Sequence, residues 1–259
     1  MKRREFSSIA VLAVFLLAGV PAAAIQNGTH DGTVHPAVAW VIETNGTDIC
    51  SLGQTFSGTS AVLVSDNVLL TTGDFAAVLQ AGFGTQFDNV WVNFDPENSF
   101  DCTKYEHVAS IHIHPSFNPA NLDFANLGAL VLDATASSLP AGLPVAGRLN
   151  GLPTSQAYTI VGYSSDKGQT ITFTSRRSEP AAFRALGPEV LDLRMTRSGP
   201  NPPCLDYTDE GGPAYLGITT EIVGFKSYDE KGPCRIGNFV RLDNQTARDF
   251  LASLGVPLP

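Results

Sequence analysis

Apolar residues in this chain come in short runs rich in Val, Ile, Leu and Phe, each bounded by glycine, proline or a small polar residue. That pattern predicts β-strands, the clearest at 37–43, 61–64, 68–72, 90–94, 127–132, 158–163, 170–174, 222–226 and 238–242. With no helical patterns between them, so many short strands point to an all-β sandwich or barrel. Only 244–254 reads as a helix. Asp243 or Asn244 can cap it, Ala247, Phe250, Leu251 and Leu254 make an apolar stripe, and Gly255 stops it. The stretch 134–153 is rich in Leu-Pro, Ala-Gly and Gly-Leu pairs and reads as a crossover between two β-units, 25–145 and 146–259, the second carrying the helix.

The first residues follow a different pattern. Lys2, Arg3 and Arg4 precede an apolar run from Ile9 to Val20, and Pro21-Ala-Ala-Ala24 ends it with small residues. About twelve apolar residues are too few to span a bilayer, which takes roughly 20, so residues 1–24 read as a secretory signal peptide. Cleavage after Ala24 would leave a chain beginning at Ile25 and would send it to the exterior or the periplasm.

Loss of residues 1–24 takes the formal charge from −9 to −11. An acidic chain of this kind is a poor partner for nucleic acid or an anionic membrane. Four cysteines, Cys50, Cys102, Cys204 and Cys234, lie far apart without a C-x-x-C spacing, so a zinc site is not expected. In an oxidising compartment they read as two disulfides. Three pairings are possible, of which Cys50 with Cys102 and Cys204 with Cys234 is favoured because it puts one bridge in each half.

Several stretches, in order, resemble the trypsin/chymotrypsin-like serine peptidase family, especially its secreted bacterial members. Ile25-Gln-Asn-Gly28 is similar to the family's Ile-Val-Gly-Gly start. Phe56-Ser-Gly-Thr59 and Ala61-Val-Leu-Val64 resemble its Cys-x-Gly-Thr-Leu-Ile strand. Leu69-Leu-Thr-Thr-Gly-Asp-Phe75 stands where Val-Leu-Thr-Ala-Ala-His-Cys belongs. His114-Pro115 followed by Asn126-Leu-Gly-Ala-Leu-Val-Leu132 resembles His-Pro, a loop, then Asp-Ile-Ala-Leu-Leu-x-Leu. Ile160-Val-Gly-Tyr163 resembles Val-Gly-Trp, and Thr208-Asp-Glu-Gly-Gly-Pro213 resembles Gly-Asp-Ser-Gly-Gly-Pro. Lys226-Ser-Tyr228 and Gly237-Asn-Phe-Val-Arg241 match the two pocket strands. The resemblance covers nearly all of 25–259 and implies two six-stranded antiparallel β-barrels with a cleft between them and a C-terminal helix.

It also implies that the chemistry is missing. The family's base, acid and nucleophile positions hold Asp74, Asn126 and Glu210, with Asp123 as a second candidate for the acid position. Serine needs an imidazole to take its proton, and the imidazole needs an acid to hold its tautomer. Glu210 is a bulky acceptor when ionised and cannot replace serine. Asp74 is too short and too weak a base, and Asn126 supplies no charge. The matching oxyanion loop is Thr208, Asp209 and Gly211, with Thr208 replacing a glycine whose N–H would help form the hole. No residue is expected to act as a metal ligand and no cofactor is implied.

Other assignments compete. Asp74, Asn126 and Glu210 are oxygen donors and could gather Ca²⁺, but three are an incomplete set against six to eight. Asp74 and Glu210 could form an acid–base pair. A shifted alignment could hide an active peptidase. His112 and His114 share one face of a predicted strand and, with His30, His35 and His107 in predicted loops, read as surface or structural residues. In the resembled family the amine of the N-terminal isoleucine pairs with the aspartate before the nucleophile, which implies a pair between Ile25 and Asp209 here. The favoured reading is an inactive homologue binding a peptide or protein through the old cleft or its loops.

Overall fold

The computed structural model describes residues 25, 27–44, 49–50, 55–85, 89–97, 101–165, 174–200, 202–205, 207–227 and 235–259. The proposed signal peptide, Tyr228, Cys234 and most of the expected strand at 170–174 lie outside them.

The chain runs β1 (Thr29–His30), β2 (Val38–Thr44), β3 (Thr55–Leu63), β4 (Val68–Thr71), α1 (Gly73–Thr85), β5 (Asn89–Asn93), β6 (Tyr105–Ile113) and β7 (Gly128–Leu132). After a crossover come β8 (Ala157–Ser165), β9 (Thr174–Leu186), β10 (Val190–Met195), β11 (Pro213–Leu216), β12 (Ile222–Lys226), β13 (Ile236–Arg241) and α2 (Gln245–Ser253). Strands β2-β3-β4-β7-β6-β5 close into one antiparallel barrel. Strands β8-β9-β10-β13-β12-β11 close into a second, as β11 pairs with β8. The two six-stranded barrels and C-terminal helix match the expected architecture.

The two barrels are tied together near both ends of the described chain. β1, from the N-terminal unit, adds to β9 of the second barrel. Ala247, Phe250 and Leu251 of α2 join the larger core, which fills the first barrel and runs on into Tyr163, Tyr215, Phe225 and Val240 of the second. A smaller core fills the second barrel, from Ile25 through Leu191, Leu193 and Met195 to Phe239. Between the barrels, the buried Arg176 guanidinium of β9 donates to Val38 O, Phe94 O and Gly32 O and pairs with Asp31 at 3.1 Å.

Two sequence expectations need correction. The helix at the chain end has a companion, α1, missed because its sequence Gly-Asp-Phe-Ala-Ala-Val-Leu-Gln carries no clean apolar stripe. Thr72 supplies its cap: the hydroxyl accepts from Phe75 N at 3.3 Å and the carbonyl from Ala76 N at 3.0 Å. His30 and His107, expected in loops, lie in strands: His30 in β1 opposite Arg177, and His107 in β6 opposite Trp91. Cys50 and Cys102 form the expected disulfide. Cys204 is also disulfide-bonded, and Cys234, its expected partner, lies outside the described residues.

Candidate functional site

The site is assembled by the end of β4, the turn before β7 and the loop after the Tyr207–Asp209 3-10 turn. Asp74 sits in the first turn of α1. Asn126 precedes β7, fully buried, and Ala125 beside it holds a left-handed φ of 51°, which costs a non-glycine residue about 1–2 kcal/mol. Past that turn, Asn126 Oδ1 accepts from Asp74 N at 2.9 Å and Nδ2 donates to Ser227 Oγ at 2.9 Å. Gly73 permits the approach, since a Cβ there would lie 3.1 Å from Asn126 Oδ1. Asn126, not the exposed Asp123, therefore reaches the backbone of Asp74.

The loop bearing Glu210 is clamped to β3. Thr59 Oγ1 donates to Thr208 O (3.0 Å) and Glu210 O (2.7 Å), Ser60 N to Glu210 O (3.1 Å) and Ser60 Oγ to Thr208 O (3.1 Å). Gly211 has φ 76°, and a Cβ there would come within 2.1 Å of Ser60 O and 2.6 Å of Thr71 Oγ1. Only glycine fits. This packing holds Gly211 against Thr71, the last residue of β4 and three residues before Asp74, and Glu210 beside it is buried. Asp74 Oδ1 is buried with no hydrogen-bond partner among the described residues. Among the described non-glycine residues only Ile25, Asn27 and Ala125 have positive φ, so Thr208 keeps an ordinary backbone in its 3-10 turn.

Asp209 is fully buried, and its Oδ2 accepts from Ile25 N at 2.8 Å across 184 residues of sequence. Gly162 leaves the space, because a Cβ there would lie 2.5 Å from Asp209 Oδ1. Arg177 holds the adjoining turn through Gly28 O at 3.0 Å, and Arg197 reaches Asn27 O and the buried Glu179. Burial pushes the Glu179 carboxyl pKa up, against the pull of Arg197. In the ground matched to the family's pocket strands, Leu205 and Phe239 crowd Gly237, whose Cβ would meet Leu205 Cδ1 at 2.7 Å. Lys226 is buried there and donates to Ser227 O at 3.0 Å.

The arrangement thus holds two carboxylates and an amide, and the histidines are engaged with other groups. His112 meets Ser110, His107 meets Asp133, His30 meets Glu97, and the His114 ring packs on Phe250 with centroids 5.5 Å apart. His35 was missed as a core residue. It is buried, bonds Asp31 Oδ1 through Nδ1 at 2.6 Å, and lies on the Tyr215 ring. Burial pushes the Asp31 pKa up, but His35 and Arg176 together hold it below the ordinary value. The Asp31-x-x-x-His35 spacing was readable, but Arg176 completes the group from 141 residues away, and no local pattern announces it. Among the described residues no group of three or more His, Cys, Asp or Glu side chains is placed to hold a metal.

No protein-family profile and no curated protein sequence matches the chain. Solved structures do. HL collagenase superposes with a TM-score of 0.66 at 15% identity, covering 90% of this chain and 100% of that one. A scabies mite inactivated protease paralogue gives 0.65 at 14%, covering 88% and 97%. Human heparin binding protein gives 0.64 at 17%, covering 91% and 99%. At these identities the likeness is one of fold, and the chain has the two-barrel fold of the trypsin-like serine proteases.

Proposed function

We propose that this is a secreted trypsin-like protease homologue without peptidase activity, which holds a peptide or protein through the old active-site cleft or its surface loops. The observation that carries the reading is the placement of Asn126. Its amide spans from Asp74 N to Ser227 Oγ, the position from which an acid would orient an imidazole, yet the residue it orients is an aspartate. A carboxylate at 74 cannot relay a proton to an acid behind it, and a carboxylate at 210 cannot form an acyl-enzyme. Loss of such a triad lowers turnover on the order of a million-fold, roughly 8 kcal/mol of barrier.

The scaffold around the missing chemistry is retained. Asp209 is seated, the Glu210 loop is clamped, and Ile25 N is in place. Cleavage after Ala24 turns that backbone nitrogen into the amine that pairs with Asp209. The Cys50–Cys102 disulfide fits an oxidising compartment. Among the described residues no helix is long and apolar enough to cross a membrane. Among proteins of similar fold, one is named an inactivated protease paralogue and another a heparin binding protein, so this scaffold accommodates roles other than proteolysis.

The test is direct. The mature protein is expected to resist labelling by a fluorophosphonate serine probe and to leave casein and chromogenic peptide amides intact from acid to alkaline pH. Labelling or turnover that disappears in a Glu210→Ala or Asp74→Ala variant would overturn the proposal.

A further inference from the structure

Apart from the cleft, the first barrel carries a groove of about 730 Å³ at one end, between the connection from β5 to β6 and the crossover that leaves β7. Small-ligand sites occupy roughly 300–1,000 Å³. Asn93 lines it and is 1% exposed. Its Oδ1 accepts from Asp95 N at 2.8 Å, while Nδ2 is buried with no acceptor among the described residues. An unsatisfied buried amide donor is destabilising, and the group that best relieves it is a neutral oxygen such as a peptide carbonyl.

The remaining lining is acidic. Asp95 is paired with Lys104, Asp133 Oδ2 meets His107 Nδ1 at 3.1 Å, and Glu106 Oε1 accepts from Ser137 N at 3.0 Å. Three carboxylates thus face one lysine and one histidine. The second oxygens of Glu106 and Asp133 take no hydrogen bond from the described residues. An anion would be repelled here, and an apolar ligand would leave Asn93 and both carboxylates unanswered. A ligand bearing a carbonyl oxygen and a separate cationic donor answers both.

We propose that this groove binds a basic peptide segment, with a backbone carbonyl on Asn93 Nδ2 and a lysine or arginine side chain at Glu106 and Asp133. The site is independent of the old cleft and stands or falls separately from the function proposed above.

The experiment is calorimetric titration of the mature protein, at low ionic strength, with the acetylated and amidated peptide Gly-Arg-Gly-Arg and its counterparts carrying Leu or Glu in place of Arg. The arginine peptide is expected to bind, and its affinity to fall with added salt. The double substitution Glu106→Gln, Asp133→Asn, at partly or fully exposed positions, should weaken binding about tenfold while the melting temperature stays constant. Asn93→Leu removes the orphan donor without adding a charge that would itself attract arginine, and should weaken binding further; if that variant fails to fold, the rim substitutions alone decide the matter. Equal binding of the leucine peptide, an unchanged affinity in the rim variant, or loss of binding on Asp74→Ala or Glu210→Ala instead would overturn the proposal.

Discussion

Glu43 shows how far a single side chain can depart from its sequence pattern. It closes the apolar run Ala37-Val-Ala-Trp-Val-Ile-Glu43 and reads as the polar end of a strand, yet it is 1% exposed, level with Val90 on β5, and neither carboxylate oxygen has a hydrogen-bond partner among the described residues. Burial disfavours the charged form and pushes its pKa up from the ordinary 4.5 to about 7. The folded state then keeps a proton that the unfolded chain has released. This contribution to stability is full below pH 4.5, declines as pH rises to about 7, and is gone above it. Over that window the loss is about 3 kcal/mol. Glu43→Gln should remove the decline, so that the variant gains on wild type between pH 5 and 8. Urea unfolding at both pH values measures this, and parallel behaviour of the two proteins would exclude it. His114 works in the opposite direction, because burial lowers its pKa and its contribution is lost as pH falls below about 6.5.

At the scale of elements, what the sequence made legible was whatever depends on near neighbours. α2 needed only its stripe, its stop at Gly255 (φ 74°) and its cap, and Asn244 Oδ1 does accept from Ala247 N at 2.9 Å. Asn244→Ala should therefore cost about 1 kcal/mol or more, read as a lower urea midpoint, and Asn244→Ser should recover part of it by keeping an acceptor without adding a charge beside Glu189. β9 was not legible. It buries Arg176 and Glu179, whose partners Asp31 and Arg197 come from other segments, so its charges look like those of a surface loop. In β6 a bulge between Val108 and Ser110 shifts the alternation in phase and hides the strand. The candidate site divides the same way. Asp74, Asn126 and Glu210 could be placed by motif, whereas the turn at Ala125 that brings in Asn126 over Asp123 is a backbone conformation no residue pattern announces.

The whole molecule is joined near its ends and at its seam: Ile25 and β1 go to the second barrel, α2 packs in the core that both barrels share, and Arg176 crosses between them. The Ile25–Asp209 contact is the part of this exchange on which the proposed cleavage after Ala24 would act. With residue 24 attached, the nitrogen at 2.8 Å from Asp209 Oδ2 is a neutral amide; after cleavage it is an ammonium facing a fully buried carboxylate. Removing one partner of a buried ion pair costs about 3–5 kcal/mol, and for a chain of this size each kcal/mol shifts the melting temperature by about 2–4 °C. Acetylating the Ile25 amine of the mature protein should therefore lower its melting temperature by about 10 °C. Asp209→Asn should lower it as well, and acetylation of that variant should add little, because the charge it would remove no longer has its partner. An unchanged melting temperature on acetylation would mean that the contact contributes no charge pairing. Equal losses in wild type and Asp209→Asn would assign the effect to the modification and not to the pair.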